Sequence, residues 1–397
     1  MATYPPLLIQ MASGLFSPLL SLFTKTNPKR IILTSFHGNG YRGNTKVIFE
    51  ELCKHPHFQP VWLSRNKNIV SSIKEKFGTD RAEFFHTYRG LKKVAEAGSI
   101  LFTHGTSDYP FLYLPRTALR IQTYHGLPTK RGEYLRPKSD KEPSWFHRKI
   151  LEYRFKPITH FLSSSPVVTE IFSKRFRIPE NRFLETGYPA YDTLINQTFE
   201  NQKAETLFTD IPETDHLILY APTFRLLSKT KWFPFDDFDP LKLAGFLDRY
   251  KITIALRSHP NESVDINEHR QYTDRIISAD HKTIEDINTI LPLLSGIITD
   301  YSSIYIEGLL LDIPAIFIPY DLDQYERGLA LPYEDITPGP KVKQFDQFQQ
   351  SLENIVQGTE GSSEERSGVR DLFFSFQDGN STDRVIQFLE KKLLNKR

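Results

Sequence analysis

The chain of 397 residues has one cysteine, Cys53, and that single thiol excludes an intrachain disulfide and a cysteine-built metal site. It also favours a reducing compartment. Charge of one sign is missing too. A formal net charge of +2 makes no strong electrostatic demand and gives no footprint for nucleic acid. No Gly-x-x-x-x-Gly-Lys-Ser/Thr loop is present, so a P-loop nucleotide hydrolase is excluded. No His, Asp or Glu cluster has metal-ligand spacing, and neither a metal nor a cofactor is expected. Internal repeats, coiled-coil heptads and long low-complexity tracts are also absent.

Apolar runs are short as well. Residues 7–23 are uncharged and rich in Leu, Ile and Phe, but Gly14 and Pro18 interrupt them and no Lys or Arg precedes them. That argues against a signal peptide and against a membrane span. Positions 8, 11, 15, 16, 19, 22 and 23 fit one helix face, followed by Lys25, Lys29 and Arg30. This is the pattern of an interfacial helix on an anionic leaflet, or of a helix packed on the first domain.

What is present is a folded composition: 39% hydrophobic and 25% charged residues, with 30 Phe and 18 Tyr to fill cores. The length suits two domains. Short β-branched runs at 30–35, 60–64, 99–103, 119–122, 160–164 and 183–186 predict strands. Helices are expected between them at 45–54, 69–77, 91–96 and 167–176. A polar stretch at 196–214 reads as a linker. A second series predicts strands at 217–220, 252–256, 275–278, 296–299 and 315–318, with helices at 240–249, 284–291 and 304–311. An amphipathic helix at 383–394 closes the chain and could pack back across the first domain. Alternation of this kind implies two doubly wound α/β domains with parallel sheets and a ligand cleft at the strand carboxyl ends. The boundaries expected are 1–29 for the membrane-associating segment, 30–195 for the first domain, 196–214 for the linker, 215–378 for the second domain and 379–397 for the final helix.

The polar signatures gather at predicted strand ends. Thr299-Asp300-Tyr301-Ser302-Ser303 ends one strand and opens a helix, where free N–H groups and two hydroxyls could hold a diphosphate. Glu307, one turn on, could accept hydrogen bonds from ribose hydroxyls. The same junction also fits a plain helix cap by Asp300 or a serine. In Gln122-Thr123-Tyr124-His125-Gly126-Leu127-Pro128-Thr129-Lys130, a tight turn presents His125 beside Lys130, a base and a phosphate-binding cation suited to phosphoryl or glycosyl transfer. Arg225 follows the strand-stopping Pro222, as a phosphate clamp would. Arg257 and His259 repeat the design, His259 to protonate or hydrogen-bond a leaving phosphate and Arg257 to orient it or pair with a carboxylate. Gly38-Asn39-Gly40-Tyr41-Arg42-Gly43 mimics a dinucleotide fingerprint. The second strand, however, ends in Ser64-Arg65-Asn66 rather than an acid, which argues against that cofactor. The loop reads instead as close chain approach on the acceptor side.

Assembled, these residues resemble the CDP-glycerol glycerophosphotransferase family of teichoic acid and capsule enzymes. The likeness runs over about 30–390. It rests on Tyr-His-Gly-Leu-Pro-Thr-Lys at 124–130, Thr-Gly-Tyr-Pro-Ala-Tyr-Asp at 186–192, Ala-Pro-Thr-Phe-Arg at 221–225, Arg-Ser-His-Pro at 257–260 and Thr-Asp-Tyr-Ser-Ser at 299–303. Arg327-Gly328, Pro338-Gly339-Pro340, Asp378-Gly379 and Arg384 add to it. The resemblance implies a GT-B-like fold of two Rossmann-like domains facing a central cleft, bound peripherally at the cytoplasmic membrane face.

It further implies transfer of glycerol or ribitol phosphate from CDP-glycerol or CDP-ribitol to a lipid-linked or glycan acceptor, with release of CMP. His125 would be the base, and Arg257 and His259 would steady the diphosphate and leaving phosphate. Arg225 and Arg327 would be supporting cations, Ser302 and Ser303 would bind phosphate, and Glu307 the ribose. Tyr124, Leu127-Pro128-Thr129 and Phe224 depart from the family's usual Trp, Thr-Pro-Leu and Trp, which bears on acceptor identity. The long N-terminal region of some polymerases is not expected here. A GT-B nucleotide-sugar glycosyltransferase or epimerase is the alternative enzyme class, and a membrane-docked scaffold the non-enzymatic one.

Overall fold

The computed structural model describes residues 23–85, 87–109, 115, 117–131, 145, 149, 155–196, 207–208, 211–225, 230–258, 266–280, 283–284, 286–325 and 328–395. His259, Arg327, most of the expected linker and all but the last residue of the apolar stretch at 7–23 lie outside the described residues. The chain divides into two compact units. The first gathers the described residues within Met1–Gly126, Lys141–Thr193 and Phe374–Arg397, the second those within Leu127–Asp140 and Leu194–Phe373.

In the first unit, apolar β-branched runs form β1 (Asn27–Leu33), β2 (Gln59–Ser64), β3 (Ala82–Phe84), β4 (Ala97–Phe102), β5 (Leu119–Gln122), β6 (His160–Ser163) and β7 (Phe183–Glu185). They lie in the order β3-β2-β1-β4-β5-β6-β7 with every pairing parallel. Connecting helices are α1 (Asn44–Leu52), α2 (Lys67–Phe77), α3 (Tyr88–Ala95), α4 (Pro166–Phe176) and α5 (Pro189–Asn196). Several start at a side-chain cap: Asn66 for α2, Thr87 for α3 and Ser165 for α4, the last with Pro166 in the first turn. Burial on both faces explains the apolar carboxyl halves of β1 and β4. Ile31, Ile32, Leu33, Ile100, Leu101 and Phe102 are all fully buried, each stabilising by roughly 1.5–3 kcal/mol.

The second unit repeats the plan with β8 (His216–Tyr220), β9 (Ile252–Leu256), β10 (Ile276–Ser278), β11 (Leu294–Thr299) and β12 (Ala315–Phe317), ordered β10-β9-β8-β11-β12 and again parallel. Its helices include α6 (Pro240–Arg249), α7 (Ile304–Gly308), α8 (Phe345–Val356) and α9 (Ser363–Phe373). The core joins Ile218, Tyr220, Ile254, Leu256, Ile298 and Ile316 of the sheet to Phe345, Phe348 and Leu352 of α8. The last helix, α10 (Ser381–Leu393), packs on α1 in the first unit. In each sheet the winding direction reverses beside the first strand, between β1 and β4 and between β8 and β11. Such switch points open a crevice at the strand carboxyl ends.

Two expectations need correction. The helix expected at 284–291 is instead a pair of 3-10 turns, Ile287–Thr289 and Leu291–Leu293. Asp286 closes the first turn onto Asn288, and Pro292 lacks the N–H that an α-helix would use. The helix expected at 304–311 is α-helical only to Gly308, tightens to a 3-10 turn over Leu309–Leu311 and stops at left-handed Asp312. Strand β3 and helices α5, α8 and α9 had no forecast.

Candidate functional site

In the second unit the switch point is organised by Arg225. Strand β8 runs out at Ala221-Pro222-Thr223, and β11 runs out at Thr299-Asp300. Thr299 is fully buried and its hydroxyl donates to the Ala221 carbonyl at 2.8 Å, tying the two strand ends together. The Asp300 carboxylate accepts from the Thr223 and Tyr301 backbone N–H groups at 2.8 and 2.5 Å and from Arg225 Nη2 at 2.8 Å. Arg225 also donates through Nε and Nη2 to Asp321 at 2.7 and 2.8 Å, a bidentate fork, and through Nη1 to the Thr223 carbonyl at 2.5 Å. Tyr301, Tyr320 and Tyr325 surround the guanidinium, each ring centroid 5.2 Å away. Burial alone would lower the Arg225 pKa, but the Asp321 and Asp300 carboxylates hold it above the ordinary value.

With 1% of its side chain exposed and two carboxylates against one guanidinium, Arg225 is a structural keystone. Asp300 and Thr299 are likewise framework. What the framework holds out is the next stretch: Ser302, Ser303 and Glu307 are half-buried, and Ser303 at the start of α7 makes no side-chain cap bond. The side-chain cap expected from Asp300 or a serine is not made: Ser303 at the cap position forms no such bond, and Asp300 closes on Tyr301 N–H, ahead of α7.

Arg257 follows β9, next to β8. Its Nη1 donates to the carbonyls of Ala279 and Ile284 at 2.8 and 2.9 Å. Lys130 lies on a segment that pairs antiparallel with 328–330, through Ala330 N–H to Thr129 at 2.9 Å and Arg131 N–H to Gly328 at 3.1 Å.

In the first unit the switch point holds His125. Three residues here adopt left-handed backbone without being glycine: Phe36, His37 and Tyr124, with φ of 49°, 59° and 58°. Such strain costs of order 1–3 kcal/mol each and concentrates at functional sites. The His125 loop is braced from below. Asn44, at the start of α1, donates to the Thr123 carbonyl at 2.9 Å and accepts from Ala190 N–H at 2.9 Å. Gln122 donates to the Thr103 carbonyl at 2.6 Å and accepts from Gly105 N–H at 2.9 Å.

His125 Nδ1 lies 3.4 Å from that same Thr103 carbonyl. A carbonyl can only accept, so Nδ1 carries the hydrogen and Nε2 keeps the lone pair. The ring is held far below the ordinary histidine range, to about 3, by desolvation first and by neighbouring His104 second. His125 is still exposed by area, and solvent shields it in part; the direction, a neutral imidazole at pH 7, follows from the packing.

Sequence reasoning missed the residues around it. His104 stacks on His125, His37 lies beside His104, and the fully buried Asp108 receives backbone N–H groups from His37, Thr103 and His104. Burial pushes the Asp108 carboxyl up, and those N–H donors and His37 oppose it. The available signal was an acid four residues after His104 at a strand end. Asp321 and Asn44 had no comparable signal. Among the described residues no group of three or more His, Cys, Asp or Glu could hold a metal ion. No described helix is long and apolar enough to cross a membrane.

The model of the family described as CDP-Glycerol:Poly(glycerophosphate) glycerophosphotransferase matches residues 17–391. The chain is 26% identical over 389 residues to a teichoic acid poly(glycerol phosphate) polymerase of Staphylococcus epidermidis, aligning 92% of itself with 51% of that protein. It thus spans about half the length of that relative. It is also 26% identical over 380 residues to a teichoic acid glycerol-phosphate transferase of Staphylococcus aureus, covering 92% of itself and 94% of that protein. Its fold is similar to that of the wall teichoic acid polymerase TagF, with a TM-score of 0.75, 23% identity and 98% of each chain covered. That architecture, two Rossmann-like units of the GT-B type, agrees with the two parallel sheets.

Proposed function

The chain belongs to the CDP-glycerol:poly(glycerophosphate) glycerophosphotransferase family and is a transferase of that class, and on that premise we propose that it moves glycerol phosphate or ribitol phosphate from a CDP-polyol to a hydroxyl of a lipid-linked or glycan acceptor in teichoic acid synthesis. The observation that carries this reading is His125: a neutral imidazole whose Nδ1 faces a carbonyl and whose Nε2 is left as base.

In this reading Nε2 takes the proton of the acceptor hydroxyl. The acceptor oxygen forms a bond to the phosphorus bearing the polyol, and the bond from that phosphorus to the bridging oxygen breaks. CMP departs with the electron pair. Stabilisation of the spreading phosphate charge is then the main catalytic demand. Arg257, held at the end of β9 by the Ala279 and Ile284 carbonyls, supports the diphosphate together with the hydroxyls of Ser302 and Ser303. Glu307 would take the ribose. Lys130, His259 and Arg327 complete the cationic set by their sequence positions. Arg225, with Asp300 and Asp321, holds the ends of β8 and β11 beside Ser302 and Ser303.

We further propose peripheral attachment at the cytoplasmic membrane face through residues 1–29. The apolar, one-sided pattern of that segment and the Lys25, Lys29 and Arg30 that follow it support this. Removing residues 1–24 should abolish binding to anionic liposomes; unchanged binding would sink this part.

The test of the reaction is incubation with CDP-glycerol, CDP-ribitol and UDP-sugars while CMP and UDP are followed. Release of CMP from a CDP-polyol is expected. Consumption of a UDP-sugar alone would make the chain a nucleotide-sugar enzyme instead.

A further inference from the structure

We propose that His104 is a positioning residue for the base of the reaction: its imidazole lies flat on that of His125, centroids 4.0 Å apart and planes 2° from parallel, and is itself pinned by Thr103 and the buried Asp108. This inference rests on the reading of His125 as that base.

The hydrogen bonds fix the tautomer. The Thr103 hydroxyl has one proton, lies 3.1 Å from Asp108 Oδ2 and 2.7 Å from His104 Nδ1, and accepts from Phe36 N–H at 3.0 Å. Both Asp108 oxygens already face donors: Oδ1 takes His37 N–H at 2.8 Å, and Oδ2 takes Thr103 and His104 N–H at 2.6 and 3.0 Å. A carboxylate so turned draws the hydroxyl proton toward itself. His104 Nδ1 must then supply the hydrogen of its own contact with Thr103. Both stacked rings therefore carry their hydrogen on Nδ1, and their Nε2 atoms are the basic positions.

Stacking at this distance does two things. It limits the orientations open to His125, whose ring also stacks on Tyr124 at 4.2 Å. It also couples the charges, since a proton on one imidazole opposes a proton on the other across a few ångströms. The other titratable groups around the pair are His37, 4.4 Å from the His104 ring, and Asp108, 3.8 Å from His104 Nδ1 and 3.9 Å from His37 Nδ1. Arg175 of α4 acts on His125 and Arg65 feels Asp108, while Arg42 sits over the Phe36 ring that touches both histidines. His104 and Arg175 both disfavour the charged form of His125, while the Thr103 carbonyl and Asp108 favour it.

The test combines an NMR pH titration of the His125 imidazole with the pH profile of CMP release, in the parent, His104→Ala, His104→Phe and Thr103→Val. Losing the stack in His104→Ala should raise the His125 midpoint by about one pH unit and carry the acid limb of kcat/KM upward with it. His104→Phe keeps a ring against His125 and should recover most of the plateau kcat lost in His104→Ala. Thr103→Val, which frees His104 without removing it, should move midpoint and limb in the same direction, and it decides the matter where His104→Ala does not fold. A midpoint and limb unmoved in folded variants, with kcat/KM falling equally at every pH, would overturn the proposal. Undiminished CMP release by His125→Ala is a separate failure, that of the base reading; the NMR midpoint still decides the coupling of the two rings.

Discussion

Arg225 and Asp300 form an ion pair at 2.8 Å with 1% and 2% of their side chains exposed, joining the loop after β8 to the end of β11. Removing one partner strands a buried charge. Asp300→Ala should therefore destabilise the protein by roughly 3–5 kcal/mol, read as a fall in the urea midpoint. Arg225→Lys should also be costly, because an ammonium cannot reproduce the fork to Asp321. Full stability with weakened CDP-polyol binding would instead make Arg225 a phosphate clamp.

A second prediction concerns the motif at 186–192. Asp192 is buried and accepts from Ser381 N–H at 3.0 Å, Thr382 N–H at 2.7 Å and the Thr382 hydroxyl at 2.6 Å. It is a helix cap for α10 delivered from a distant part of the chain. Asp192→Ala should cost about 0.5–2 kcal/mol and speed amide exchange in the first turn of α10. Gly187 lies under the same turn, left-handed at φ +77°, where an added Cβ would sit 2.4 Å from Ser381 Oγ. Gly187→Ala should thus loosen the same helix, and unchanged exchange there would refute the capping account.

Acid should weaken the fold, with a sign set by His160. Its ring packs on Phe388 of α10 and is held down to about 4 by burial first, then by Lys392 and Arg182, from an ordinary value of 6.5. Between those values the unfolded chain binds a proton that the folded chain refuses, so stability rises with pH across the window and is lost as pH falls through it. His125 acts in the same direction, down to about 3. Calorimetry of His160→Gln should show a smaller drop in Tm than the parent between about pH 7 and about pH 4. An identical drop would count against this assignment.

The Pro338-Gly339-Pro340 segment makes a steric prediction. Gly339 has φ +144°, and a Cβ there would lie 2.3 Å from the Ala315 carbonyl oxygen. The neighbouring Pro340 carbonyl accepts from Phe317 N–H at 2.9 Å, at the end of β12. Gly339→Ala should lower Tm markedly, since backbone must shift to admit the methyl group.

Much of this architecture was legible because local chemistry and tertiary role agreed. β5, β9 and α6 fall within the expected limits, each a short apolar run or a capped amphipathic stretch with clear punctuation. β3 was not legible because three residues carry no usable period, and α9 because Gly361 and Gly368 disguise its start and middle. His125 stood out through the tight turn that follows it. The fate of Arg225 could not be read, because Asp321 lies 96 positions away and only the winding of the second sheet brings it in. Asp108 and His104 were hidden for a related reason: their meaning comes from β4 lying beside β1 and β5, a relation of the sheet order.

The central claim is that His125 is the base for attack on a CDP-polyol. It is tested most directly by the rate of CMP release from CDP-glycerol and CDP-ribitol, with acceptor present, for the parent and for folded His125→Ala. Loss of a general base predicts a fall of roughly 10²–10⁴-fold in kcat with little change in donor binding. CMP release by His125→Ala at the parental rate would contradict it.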